Sequence, residues 1–210
     1  MHSYFWLISI LFLIGFKGFS QDEQQIRQVF TAYKEAVTNK DGITAYSLIN
    51  QKTTSFYQRV WDDCKKADSI TVSKYPFEEK LWVLTSRHLI PEDLANQLTV
   101  KEVFCFLLRK NWIHKEDLSM LEIGEMEIDG AFAIAQMQYN GADIPYFFQF
   151  EKEGNGHWKV NLIEMLEAAG RNVEAIIAAG NLSENKFIIE SIEKISGKKT
   201  NKKIWLPYKS

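Results

Sequence analysis

Three turn junctions lie between residues 129 and 156, and they constrain this chain more than any other feature. They are Asp129-Gly130, Asn140-Gly141 and Gly154-Asn155-Gly156. Asp-Gly and Asn-Gly supply the positive φ angles that tight hairpins need. The runs between them, Leu121 to Ile128, Ala131 to Tyr139, Ile144 to Phe150 and Trp158 to Leu166, read as four strands. The expected result is a four-stranded antiparallel meander. Its first strand carries a phase error: Leu121 and Ile123 are odd-numbered, whereas Met126 and Ile128 are even. Side chains alternate along a strand. One extra residue near Gly124-Glu125, a bulge, returns all four to one face.

The chain before residue 119 has a different period. Ile26, Val29, Phe30, Tyr33 and Val37 recur at helical spacing and predict a helix over 22–38, broken at Asp41-Gly42. A short helix follows, then a third that starts near Thr53 or Thr54 and runs to Ala67. Pro76 and Thr99 suit the starts of two helices in the stretch 69–118. Gly170, Gly180 and Gly197 are expected to break the C-terminal helices. Helices then strands then helices predict an α+β fold: N-terminal helices on a curved meander, an inserted helical stretch and C-terminal helices.

Residues 1–16 carry no charge except on His2, and Gly18-Phe19-Ser20 sets small side chains at −3 and −1 of a cut before Gln21. This is a secretory signal pattern, with a signal anchor as the alternative because the leader starts without Lys or Arg. The expected organisation is a signal peptide over 1–20, one domain over 21–197 and a basic tail over 198–210. The chain is therefore expected to be exported, periplasmic or secreted.

Cys64 and Cys105 both lie on apolar helical stripes. One disulfide and two buried thiols are both open. The sheet is apolar on both faces: Ile144, Tyr146, Phe148 and Phe150 share one, and Phe147 lies on the other with Phe132 and Ile134. Helices from 167–196 are the first expectation for a cover, and a sheet-to-sheet homodimer is the second.

Ile26 to Tyr33, the break at Asp41-Gly42, and His157-Trp158-Lys159-Val160 after a Gly-Asn-Gly turn resemble the nuclear transport factor two-like superfamily. That resemblance covers 22–50 and 119–166 and implies an α+β cone with a cavity. Members include isomerases, dehydratases and non-catalytic binding domains, so the likeness assigns no activity. It implies a pocket lined by Tyr33, Trp61, Trp82, Phe148 and Trp158.

No catalytic set is assignable. The candidates for acid/base work are Glu164, at the end of an apolar strand with Arg171 as partner, His88 on a helix stripe, and Tyr33. His114 falls in an inter-element loop and His157 at an exposed turn. Glu122, Glu125, Glu127 and Asp129 read as a solvated strand face. No metal-ligand spacing, phosphate loop or dinucleotide fingerprint occurs, so no metal or cofactor is expected. With 25 basic against 27 acidic residues there is no basic excess for nucleic acid. The expected function is therefore an exported binding or scaffolding domain for a small apolar ligand or a protein partner. A small-molecule isomerase or dehydratase and a cell-envelope interaction protein are the alternatives.

The charge is unevenly placed. All 27 acids lie in 21–193 beside 18 basic residues, a net −9, whereas 194–210 carry six lysines and no acid. Ile204-Trp205-Leu206-Pro207-Tyr208 is an apolar island in that basic segment. Docking on the acidic body, with Trp205 and Leu206 in a groove, is favoured over peripheral contact with an anionic membrane or a disordered end. N-terminal sequencing of the exported chain checks the leader. The expected first residue is Gln21 or a near neighbour, and a start at Met1 contradicts cleavage.

Overall fold

The computed structural model describes residues 20–110 and 118–208. Four strands, β1 (Leu121–Asp129), β2 (Phe132–Tyr139), β3 (Ala142–Lys152) and β4 (Trp158–Asn161), form one antiparallel sheet in the order β1-β2-β3-β4. The protein is α+β, as the turn chemistry requires. In the β2–β3 turn both Asn140 and Gly141 adopt positive φ, 51° and 76°. The predicted bulge is present: the β1–β2 register shifts between Ile123 and Met126. Ile123 is buried, and Met126 and Ile128 also pack against the core.

Helix α1 (Gln21–Thr38) is capped by the Ser20 hydroxyl and packs on the sheet. Its buried stripe is Ile26, Val29, Phe30, Tyr33, Ala36 and Val37. Phe30 meets Phe148 with ring centroids 4.9 Å apart. Around them Ala133, Ala135, Phe150 and Val160 are fully buried. Burying one such large apolar side chain contributes roughly 1.5–3 kcal/mol. Polar contacts fix the helix direction. Arg27 donates to the carbonyls of Ile123 and Gly124, both at 2.9 Å, and so holds the bulge. In the first turn Asp22 accepts from Lys152 at 2.5 Å and from the Trp158 indole at 2.9 Å. The Lys152 hydrogen bond in particular lowers the Asp22 pKa.

Helices α2 (Gly42–Leu48) and α3 (Gln51–Lys66) follow, capped by Asp41 and Asn50. The start of α3 is Gln51 rather than Thr53, because the Asn50 carboxamide accepts from the Thr53 N–H. Thr53 serves elsewhere: its hydroxyl accepts from the Leu162 N–H at 3.0 Å. Ile49 makes a parallel bridge to Val160, which covers part of the β4 edge.

The stretch expected as an insertion holds α4 (Ser69–Ser73), α5 (Phe77–Leu89), α6 (Glu92–Ala95) and α7 (Val100–Arg109). Pro76 precedes α5, and a Thr99–Glu102 capping box starts α7. These helices contribute Trp82, Leu84, Phe104 and Leu107 to the same continuous core as α1 and the sheet.

The fourth expected strand is shorter than its sequence suggests. It ends at Asn161, and Ile163–Ala179 form helix α8. The Asn161 side chain accepts from the Ile163 N–H at 3.1 Å and, with Thr53, serves the first free donors of the helix. Gly170 does not break α8. It lies buried within it, where a Cβ would come 2.2 Å from a Glu78 carboxylate oxygen on α5. Its missing side chain lets the two helices approach. Gly180 and Gly197 do stand at the ends of α8 and α9 (Glu184–Ser196). Among the described residues no helix is long and apolar enough to cross a membrane. Residues 1–19, with the expected leader, and His114 lie outside the described residues.

The C-terminal segment docks, and Trp205 packs partly buried against the core as expected, whereas Leu206 does not. Ile204 and Tyr208 hold it. Buried Arg87 donates to the carbonyls of Cys64 at 2.9 Å, Asp63 at 3.1 Å and Ala67 at 2.5 Å, and at 3.4 Å to that of Ile204. The first three stand at the negative end of α3, where the Asp63 carbonyl also accepts from the Ala67 N–H, and a guanidinium serves such a helix end well. Burial lowers the Arg87 pKa, yet the group stays charged at neutral pH. The Tyr208 hydroxyl lies 3.0 Å from each of the Ser86 and Ile90 carbonyls at the end of α5. Leu206 is 55% exposed.

Candidate functional site

The cone cavity implied by the resemblance coincides with the space between α1 and the inner sheet face. That space is packed. Tyr33 and Phe148 have no surface open to a water-sized sphere, and Trp158 is nearly as buried. Trp61 and Trp82 sit further off, in the helical part. With Tyr57, Cys64 and Ser86 they border a narrow void that has no room for a water molecule. Of the five expected pocket residues, none lines an open concavity on the sheet.

The main apolar concavity against the sheet lies outside the core, between β3 and α8, and has a volume of about 330 Å³. Its origin is a second irregularity of the meander. Gln136 pairs with Phe147 and Gln138 with Asp143, so residues 144–146 of β3 stand opposite Met137 alone. The Gln136 amide holds this wide bulge by donating toward the carbonyls of Ile144, Met137 and Tyr146. Beyond it β4 pairs only with Gln149–Lys152, so the first half of β3 has no strand on its far side among the described residues. Helix α8 runs beside that edge. Pro145 fits there because an edge position asks for no ladder hydrogen bond from its nitrogen.

One wall of the cleft is Pro145, Tyr146, Phe147 and Gln149, with Met137 beneath. The other is a single face of α8: Glu164, Met165, Ala168, Ala169 and Asn172. The alanines make the space. Asn172 donates to the Tyr146 hydroxyl at 2.8 Å and ties the two walls together. The outer sheet face continues from the cleft with Phe147 and Phe132, 49% and 39% exposed. Helices α8 and α9 therefore leave much of that face open, contrary to the expectation that 167–196 cover it. Both helices pack on α5, and of the two α8 alone also packs closely on β3.

The acid/base candidates are not brought together. Glu164 lies in the first turn of α8 rather than at a buried strand end, and its carboxylate is exposed at the cleft rim. Arg171 is not its partner; it faces Glu167 at 3.6 Å. His88 sits in the last turn of α5, with Nε2 3.0 Å from the Ser196 hydroxyl at the end of α9. Burial, aided by nearby Lys198, lowers its pKa below the ordinary imidazole value. Tyr33 is sealed in the core, and burial raises its pKa far above 10. Its hydroxyl has no hydrogen-bond partner among the described residues.

The remaining candidates are quickly placed. His157 is exposed at its turn, and Glu122, Glu125, Glu127 and Asp129 face solvent. Among the described residues no three His, Cys, Asp or Glu side chains converge to hold a metal ion. Cys64 and Cys105 are separate buried thiols, not a disulfide. Burial pushes the Cys64 pKa up to about 12.

Compared with protein-family models, with curated proteins and with solved structures, the chain matches none.

The cleft residues Tyr146, Phe147, Met165, Ala168, Ala169 and Asn172 were not expected to form a site. Pro145 inside a strand run was the available signal, since proline marks edges and bulges. For Tyr33 the prediction is direct. An unpartnered buried hydroxyl contributes no net hydrogen bond and costs its desolvation. Tyr33→Phe is expected to leave the urea unfolding midpoint unchanged or raise it. A loss above about 1 kcal/mol would show that the hydroxyl has a stabilising partner.

Proposed function

We propose that this chain is an exported, non-catalytic binding domain of the nuclear transport factor two-like cone type, and that its ligand is small and mainly apolar. The observation that carries the reading is the cleft between β3 and α8. It is an open, largely apolar concavity with three polar side chains, Gln149, Glu164 and Asn172, at its wall and rim. Ligand sites commonly combine an apolar lining with a few orienting polar groups. The cone-type assignment is supported by the order of elements, an opening amphipathic helix packed on a closing meander. Export is supported by the leader pattern at 1–20.

The isomerase or dehydratase alternative rests on Glu164 alone. A working acid/base site needs a second group that orients the first. Among the described residues Glu164 has no such partner. The interaction-protein alternative draws on the exposed Phe132 and Phe147, which offer an outer face to a second copy or another protein.

Filling the cleft tests the binding reading. Ala169 stands on its α8 wall and is exposed, so Ala169→Trp occupies the space without disturbing the core. With the neutral dye Nile red as probe, the wild-type chain is expected to bind and the variant to bind at least fivefold more weakly, with equal thermal midpoints. Equal dye affinity in the two chains contradicts the cleft as the site.

A further inference from the structure

The charge split of the sequence remains unspent in the structure. Docking on the acidic body predicts ion pairs between tail lysines and body carboxylates. The segment is held otherwise, by Ile204, by Arg87 reaching a carbonyl, and by the Tyr208 hydroxyl. Of its described lysines, Lys199 pairs with Glu193 at 2.6 Å. Lys194, Lys198, Lys202 and Lys203 are exposed, and no ion pair engages them among the described residues. Thr200 donates from its N–H and its hydroxyl to the same Glu193 carboxylate, at 2.9 and 3.0 Å, which pins the chain between α9 and Lys202. The result is a fixed, folded cationic surface. Ile195 and Leu206, 50% and 55% exposed, alternate with these lysines along the segment, and Trp205 is half-buried.

We propose that this surface docks on an anionic lipid membrane. Three features favour that partner. The cations are all lysines, point charges on flexible stems that suit a diffuse anionic surface. Recognition of discrete phosphates more often uses the arginine fork, and the segment 194–208 contains no arginine. Exposed Ile195 and Leu206 among the lysines provide apolar side chains that enter the headgroup boundary. Among the described residues of 194–208 no aromatic side chain is fully exposed, whereas single-stranded nucleic acid stacks on open aromatic platforms. The surface is distinct from the β3–α8 cleft and does not rest on it.

The test uses the full chain and vesicles of neutral phosphatidylcholine, alone or with 30% phosphatidylglycerol, at 0.15 M salt. The readout is the ratio of the two partition coefficients, which removes any contribution of the apolar leader. Each lysine near an anionic surface strengthens binding several-fold. The expected ratio is therefore about tenfold or more, falling toward one at 0.5 M salt as the charges are screened. The exposed-site variant K194Q/K198Q/K202Q/K203Q is expected to keep the wild-type thermal midpoint and to lose the preference. A wild-type ratio near one overturns the proposal. So does a preference that survives in the variant, or lysine-dependent retention on single-stranded DNA with none on vesicles.

Discussion

Phe30 of α1 and Phe148 of β3 meet at 4.9 Å between ring centroids, and the rest of the molecule is arranged around that contact. It sets the inner sheet face against the buried stripe of α1. The sheet supplies Ala133, Ala135, Phe148 and Phe150 to that core, all four fully buried. Small and large residues thus share one buried face. The N-terminal half of the helix is fixed in step, Arg27 on the β1 bulge and Asp22 between Lys152 and Trp158. No space remains between helix and sheet for a ligand.

That closure explains where concavity survives. A sheet packed on one face can bind only at its other face or its edge. The bulge held by Gln136 shapes that edge, and the short β4 leaves it without a strand. Helix α8 supplies the second wall, because Gly170 lets it lean on α5 while the short side chains of Ala168 and Ala169 leave the space beside β3 open. Buried Lys80 reinforces the same side of the molecule through Glu184 of α9, at 2.5 Å. Arg87 performs the matching task at the far end of α5, where α3 and the C-terminal segment converge.

Local chemistry made the meander and most helix starts legible in the sequence. Asp-Gly and Asn-Gly act within their own turns, Thr99 caps its own helix, and the phase error in β1 forced a bulge. The failures have a common cause. Leu162 to Leu166 is a short apolar run that suits strand and helix alike. What decides for helix is the hydroxyl of Thr53, more than a hundred residues earlier in the chain. Trp205 does pack on the core, but the role of Tyr208 was not foreseen, because its acceptors are carbonyls at the end of α5. The cleft has one wall from a bulge and one from a helix, so neither segment alone announces it. Glu164 was singled out from sequence and does border the cleft, though as an exposed rim carboxylate.

The central claim is that the protein binds at the outer β3–α8 cleft while the space under α1 stays closed. The most direct measurement is an amide chemical-shift titration of the chain with a small neutral aromatic such as naphthalene. The account predicts saturable shifts at 145–149 and 164–172, with Tyr33, Phe148 and Trp158 side-chain signals unmoved. Shifts centred on Tyr33, Phe148 and Trp158, with the α8 face silent, would contradict it.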